Sequence, residues 1–205
     1  MDNSPFDLAH QNKSIEGRIV AALERISQAF RVLLWNEGKE FSLSPIQIQI
    51  LIFLLHHSDE KRKVSYVADE FNMTKATVSD AVKSLEEKGL IKKTYEKHDT
   101  RSYVMHLTKK GHGIAAKTSL FTKELQMPID KLNSDDKENL LLSLIGIIQH
   151  LNKSGIITIQ RMCVTCSHYR PANKNQEHFC RLLNTSLETS ELRIDCPEHE
   201  LIVNG

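Results

Sequence analysis

The order of elements between residues 65 and 101 constrains this chain more than any other feature. A short helical pattern over 65–71, with Val67, Ala68 and Phe71 on its inward face, is followed by the turn residues Asn72 and Met73. Thr74 then opens a second helix running to about Lys88, and Gly89 stands where a helix C′ residue is expected. Two strand-like segments, 90–96 and 102–107, flank the charged loop Lys97-His98-Asp99-Thr100-Arg101. Helix, turn, helix and charged hairpin in that order predict a winged helix-turn-helix. The fold class expected is mainly α with a small β-wing, joined to longer helices on either side.

The second helix of such a unit fits the major groove, with its first turns at the base edges. Here those turns carry Lys75, Thr77, Ser79 and Asp80, while Val78, Ala81, Val82 and Leu85 fall on the opposite side. Thr74, Thr77 and Ser79 can donate or accept at bases or phosphates. Lys75 and Lys83 can neutralise phosphate, and Ser65 and Thr74 can reach it through their hydroxyls. On the hairpin, Lys97 and Arg101 supply cations. An arginine there suits a narrow minor groove, and Asp99 is placed to orient Arg101. Charge agrees with this: residues 61–117 hold 13 Lys and Arg against 7 Asp and Glu, in a chain whose net charge is only +1. A basic middle between acidic flanks points to a polyanionic partner, double-stranded DNA.

The flanks read as helices. Ile15, Ile19, Val20, Leu23, Ile26, Phe30 and Leu33 recur at three- and four-residue steps after Ser14, a pattern expected to stop near Gly38. Ser44, Pro45 and Gln47 form a capping-box start for an apolar core helix ending at His56–His57. Thr108 caps a long helix expected to end by Pro128, another spans about 134–154 up to Gly155, and the β-branched run 156–159 suggests a short strand. Residues 1–13 are polar and expected to be flexible. The division predicted is 1–13, a 14–155 winged-helix and dimerisation domain, and a 156–205 cysteine-rich module. The polar start, with Asp2 and Asp7, lacks a secretory pattern, and the most apolar run, 140–148, is too short to span a bilayer. A cytoplasmic protein is expected.

In that compartment, clustered thiols favour a metal over disulfides. All four cysteines lie late in the chain: Cys163 and Cys166 two residues apart, then Cys180 and Cys196. Four thiolates satisfy a structural zinc site, and a module with few large apolar residues needs such a staple. The same four could hold an iron–sulfur cluster, or act as free redox thiols. His168, His178 and His199 are close enough in sequence to replace a cysteine, although such histidines are more often surface or supporting residues. No Ser/His/Asp set, carboxylate pair or glycine-rich phosphate loop argues for an enzyme.

The segments LSPIQIQILIFLL and VSYVADEFNMTKATVSDAVKSLEEKGLIKKTYEKHDTRSYVMHLTKKG resemble the MarR family of bacterial transcriptional regulators. The likeness covers about residues 14–154. Its most specific parts are the helix-turn-helix spacing, EEKGLI, DTRS (where Asp99 and Arg101 match the family's Asp-x-Arg) and LTKKG. The resemblance implies a homodimer joined through helices 14–36, 108–126 and 134–154, bound to a pseudo-palindromic operator. It further implies repression relieved by a small-molecule effector or by oxidation. The chain departs from the family by continuing about fifty residues past the last dimer helix. The function expected is a sequence-specific DNA-binding regulator, a repressor, with a structural zinc in its tail. The alternatives are a cluster- or thiol-based sensor whose tail controls DNA release, and a protein-binding adaptor.

Overall fold

The structure, a computed structural model, describes residues 4–96, 99–173 and 176–202; the side chains of His10, Glu96 and residues 99–101 fall outside that description. The chain divides into two compact units. The first holds Met1–Val67 and Lys75–Leu125, the second Ala68–Thr74 and Gln126–Gly205.

In the first unit a single turn, α1 (Leu8–Gln11), precedes α2 (Ile15–Phe41). Ser14 caps α2 by accepting the Gly17 N–H at 3.1 Å. The helix does not stop at Gly38. It runs one turn further and closes with Ser42 in the left-handed region (φ 54°), the Leu43 N–H returning to the Gly38 carbonyl at 2.9 Å. Gly38 serves a close approach instead: a Cβ there would lie 2.3 Å from the Leu43 oxygen.

The core helix α3 (Pro45–His56) begins with the expected capping box. The Ser44 N–H donates to Gln47 Oε1 at 3.0 Å, and the Gln47 N–H donates to Ser44 Oγ at 3.4 Å. Ile48, Ile50, Leu51 and Leu54 are fully buried, because α3 is flanked by α2, by β2 (Asp99–Leu107) and by α5 (Lys75–Glu87) and α6 (Lys109–Thr118). Each such side chain contributes about 1.5–3 kcal/mol. A short 3₁₀ turn, Asp59–Lys61, leads to α4 (Val64–Glu70).

After α5, Gly89 (φ 68°) turns the chain into β1 (Ile91–Glu96), which pairs antiparallel with β2 from Ile91↔Leu107 to Tyr95↔Tyr103, with a bulge before Glu96. The Met105 N–H donates to the Arg62 carbonyl at 2.9 Å, fastening the segment before α4 to the hairpin. Strand β2 begins three residues earlier than the sequence pattern suggests. Thr108 caps α6 through the Gly111 N–H at 3.1 Å and donates its own hydroxyl proton to the Gly89 carbonyl at 2.8 Å.

The long helix expected from Thr108 to Pro128 is two helices, α6 and α7 (Lys123–Asp130), and Pro128 lies inside the second. The break falls where hydroxyls compete for helix carbonyls: Thr118 Oγ1 donates to Ile114 O at 2.9 Å and Ser119 Oγ to Ala116 O at 2.8 Å.

In the second unit Asn133 caps α8 (Ser134–Lys153), accepting the Asp136 N–H at 2.8 Å. Residues 156–159 are not a strand; their groups bond to residues 69–72 and to Asn152 instead of to a sheet. The cysteine segment forms a 3₁₀ turn (Cys163–Thr165) and a three-stranded antiparallel sheet, β3 (Tyr169–Arg170), β4 (His178–Cys180) and β5 (Thr185–Leu187). Met162 and Leu192 bury against Ile145 of α8, with Leu141 and Ile148 beside them. One apolar face of α8, at steps of four and three, is therefore occupied by the cysteine segment and is not available to a second subunit.

Candidate nucleic-acid interface and thiol site

The amphipathic reading of α5 corresponds to its burial. Val78, Ala81, Val82 and Leu85 are buried, whereas Lys75, Thr77, Ser79 and Lys83 are exposed, as are Ser65 and Thr74. Lys75 and Ser79 of α5, Ser65 of α4 and Ser102 of β2 line one open concavity of about 300 Å³. Lys63 and Tyr103 complete it. Lys63 was not singled out from sequence; the basic run Lys61-Arg62-Lys63 is the signal that could have found it.

The base of the hairpin is held to α5. The Lys93 ammonium pairs with Glu86 at 2.7 Å and lies 4.9 Å from the centre of the Tyr103 ring. Burial pulls its pKa down, but the hydrogen bond to Glu86 and neighbouring charge outweigh that and raise it. Lys93 is thus a strut and not a phosphate contact. Of the expected wing contacts, Lys97 lies outside the described residues. Asp99 and Arg101 have their backbones in β2, with their side chains outside the description.

The four cysteines are brought together. Cys163 and Cys166 bracket the 3₁₀ turn, Cys180 ends β4, and Cys196 follows the loop after β5; all four are unbridged and line one cavity of about 40 Å³. Leu182, Leu183, Leu187 and Tyr169 form its apolar wall. Arg193 supports two of the sulfurs: its backbone N–H donates to Cys163 Sγ at 3.3 Å and its guanidinium to Cys196 Sγ at 3.6 Å. Burial raises the Cys163 pKa, as do the neighbouring Cys196 and Cys180, while the Arg193 N–H opposes them. Among the described residues, no three His, Cys, Asp or Glu side chains converge closely enough to hold a single metal ion.

The three histidines have other engagements. His168 Nε2 lies 3.2 Å from Glu200, and His199 Nε2 lies 3.0 Å from the Thr165 hydroxyl. His178 Nδ1 accepts the Ala172 N–H at 3.1 Å and stands 2.6 Å from the Tyr169 hydroxyl.

Helix-turn-helix and hairpin together define a winged-helix protein, and the comparisons specify the type. Residues 41–102 match the MarR family model. A crystal structure of the Staphylococcus aureus MepR–DNA complex superposes with a TM-score of 0.57 at 24% identity, over 64% of this chain and 97% of that one. A MarR transcriptional regulator from Methanosarcina mazei Go1 superposes with a TM-score of 0.57 at 17% identity, over 66% and 97%. The MarR protein from Peptoclostridium difficile DA00132 gives 0.59 and 17%, over 69% and 92%. No curated protein matches the sequence. The chain thus carries a MarR-type winged helix. These three neighbours are each matched over nearly their full length, while about a third of this chain extends beyond the likeness. No helix among the described residues is long and apolar enough to cross a membrane.

Proposed function

We propose that the protein is a sequence-specific DNA-binding transcriptional regulator, acting as a homodimeric repressor on a pseudo-palindromic operator in the cytoplasm. The observation that carries this reading is the concavity where Lys63, Ser65, Lys75, Ser79 and Ser102 converge, at the start of α5 in a MarR-type fold. Cations and hydroxyls gathered there suit a phosphate rail, and the exposed α5 face, Thr74 to Lys83, suits base edges. The MepR–DNA complex shows that a protein of this fold binds DNA. Lys97 and Arg101 extend the contact to the minor groove, with Asp99 orienting Arg101. The role is non-enzymatic, and an effector or oxidant would release the DNA.

Homodimerisation is supported by apolar side chains left in solvent. On α2, Ile15, Ile19, Ile26 and Phe30 are 63%, 50%, 45% and 38% exposed. On α8, Leu140 and Ile147 are 40% and 39% exposed, on a face distinct from the one that carries Ile145. Such stripes mark a subunit contact.

The test is binding by fluorescence anisotropy to a duplex selected from a randomised pool, repeated over a range of salt. Affinity should fall steeply with salt, because each neutralised phosphate adds about −0.9 to the log–log slope. A flat salt response would instead indicate a protein-binding adaptor.

Cys163, Cys166, Cys180 and Cys196 would hold a thiophilic metal, read first as a structural zinc. When bound, it would supply the cross-link that a module with strands of two or three residues lacks. What supports a thiophilic centre is the donor chemistry: four cysteines line one apolar cavity, and two of their sulfurs receive hydrogen bonds from Arg193. The second reading is an iron–sulfur cluster, for which four clustered thiolates are equally suited. Elemental analysis with a visible spectrum of anaerobically purified protein separates the two.

A further inference from the structure

Arg161 stands where the thiol segment meets the helix-turn-helix turn. Its guanidinium makes a two-pronged bond to Glu70, Nη1 to Oε2 at 2.8 Å and Nη2 to Oε1 at 2.9 Å. Glu70 is the last residue of α4, and Lys75 opens α5 five residues on. The same guanidinium bonds Asp195 through Nε, and through Nη2 at 3.2 Å. Its side chain is only 10% exposed, so the pairs are little screened by water. These bonds, first the one to Glu70, hold the guanidinium firmly protonated.

Arg161 and Asp195 both lie in the segments that carry the thiols. Arg161 precedes Cys163 by two residues, and Asp195 immediately precedes Cys196. The two segments are joined by an isolated parallel bridge at Arg161↔Asp195. The Cys196 N–H donates to the Arg161 carbonyl and the Cys163 N–H to the Arg193 carbonyl, each at 3.0 Å. Two further bonds grip the same turn: Thr158 Oγ1 donates to the Asp69 carbonyl at 2.7 Å, and Asn72 Nδ2 to the Ile156 carbonyl at 3.5 Å.

We propose that Arg161 couples the thiol site to DNA binding: a centre held by Cys163, Cys166, Cys180 and Cys196 would supply the cross-link between the segments that carry Arg161 and Asp195, and Arg161, pinned by Asp195, would hold Glu70 and residues 68–74 in place. Arg161 is a positioning residue. Without the centre, the short-stranded module would lack its cross-link, the Arg161 and Asp195 segments would loosen, and the turn from which α5 starts would be released. The ligand class is a thiolate-bound metal or iron–sulfur centre, so the inference rests on the metal reading of the four cysteines. Coupling of this kind changes affinity roughly 5- to 150-fold.

The test uses full-length protein, loaded with zinc or separately with ferrous iron and sulfide, and the same protein stripped by a chelator under reducing conditions. Three quantities are read: metal per chain, hydrogen–deuterium exchange of amides 68–74, and anisotropy with the selected duplex. Stripping the wild type should speed exchange at 68–74 and weaken binding about tenfold. Glu70→Gln lies outside the thiol segment and should keep its metal, yet its loaded and stripped forms should differ by less than about twofold. Arg161→Gln should behave alike. Equal protection of 68–74 in loaded and stripped wild type, or a Glu70→Gln protein that keeps the full wild-type ratio, overturns the coupling while leaving the metal reading intact. A chain that takes up no metal under either loading defeats the metal reading itself, and the coupling with it.

Discussion

Lys75, exposed at the start of α5 and facing the same concavity as Lys63 and Ser79, is the residue on which the DNA reading is most directly tested. Lys75→Ala should weaken binding to all duplexes alike and reduce the log–log salt slope by about one. Anisotropy titrations at several salt concentrations measure this, and an unchanged slope would remove Lys75 from the interface. Arg101→Ala should also weaken operator binding while leaving the helical circular dichroism intact. In the thiol site, Cys166 is 6% exposed and faces the shared cavity. Cys166→Ser should abolish metal uptake and loosen the tail; elemental analysis finding wild-type metal content in the variant would exclude Cys166 as a ligand. At this scale the sequence was legible wherever periodicity decides, as at Val78, Ala81, Val82 and Leu85. It was silent wherever a long-range partner decides. Nothing local distinguishes Lys93, paired with Glu86, from Lys83 in solvent, nor marks Arg161 among the chain's other arginines.

The elements follow the same division. Capping chemistry announced α3 and α6, since Ser44 and Thr108 each satisfy a helix N–H three residues on, whereas α2, capped by Ser14, was announced by its apolar periodicity. The stops were harder to read. Gly38 resembles a terminator but admits the Leu43 carbonyl, and Pro128 resembles a breaker but sits inside α7. Gly111, in the LTKKG segment, has a similar tertiary purpose. A Cβ there would lie 1.9 Å from the Leu90 oxygen, so only glycine lets α6 pass beside the end of α5. Gly111→Ala should therefore destabilise the winged helix by about 1–3 kcal/mol, seen as a lower urea midpoint. An unchanged midpoint would mean that the helix and the Leu90 carbonyl can separate without loss. The docking of the tail on α8 was not legible, because Ile145, Met162 and Leu192 are far apart in sequence and each looks ordinary alone.

For the whole molecule, the proposed dimer follows from the hydrophobic stripe of α2. Ile19→Asp combined with Ile26→Asp should give monomers in sedimentation velocity and abolish tight operator binding, while the isolated winged helix keeps its secondary structure. Retention of the dimer by this variant would place the subunit contact elsewhere. The thiol module bears on stability as well. Chelation should lower the melting temperature of the wild type but leave that of Cys166→Ser unchanged, because only the former has a centre to lose.

The clasp between Arg161 and Glu70 also means that the tail is not a detachable accessory. A version ending with α8 would not be a minimal regulator. It would leave the Glu70 carboxylate, 19% exposed, without its counter-ion and strip the cover from Ile145, 4% exposed. An engineered descendant lacking the appendage would need position 70 repolarised and one side of the last helix resurfaced, so residues far from any thiol would answer for its removal.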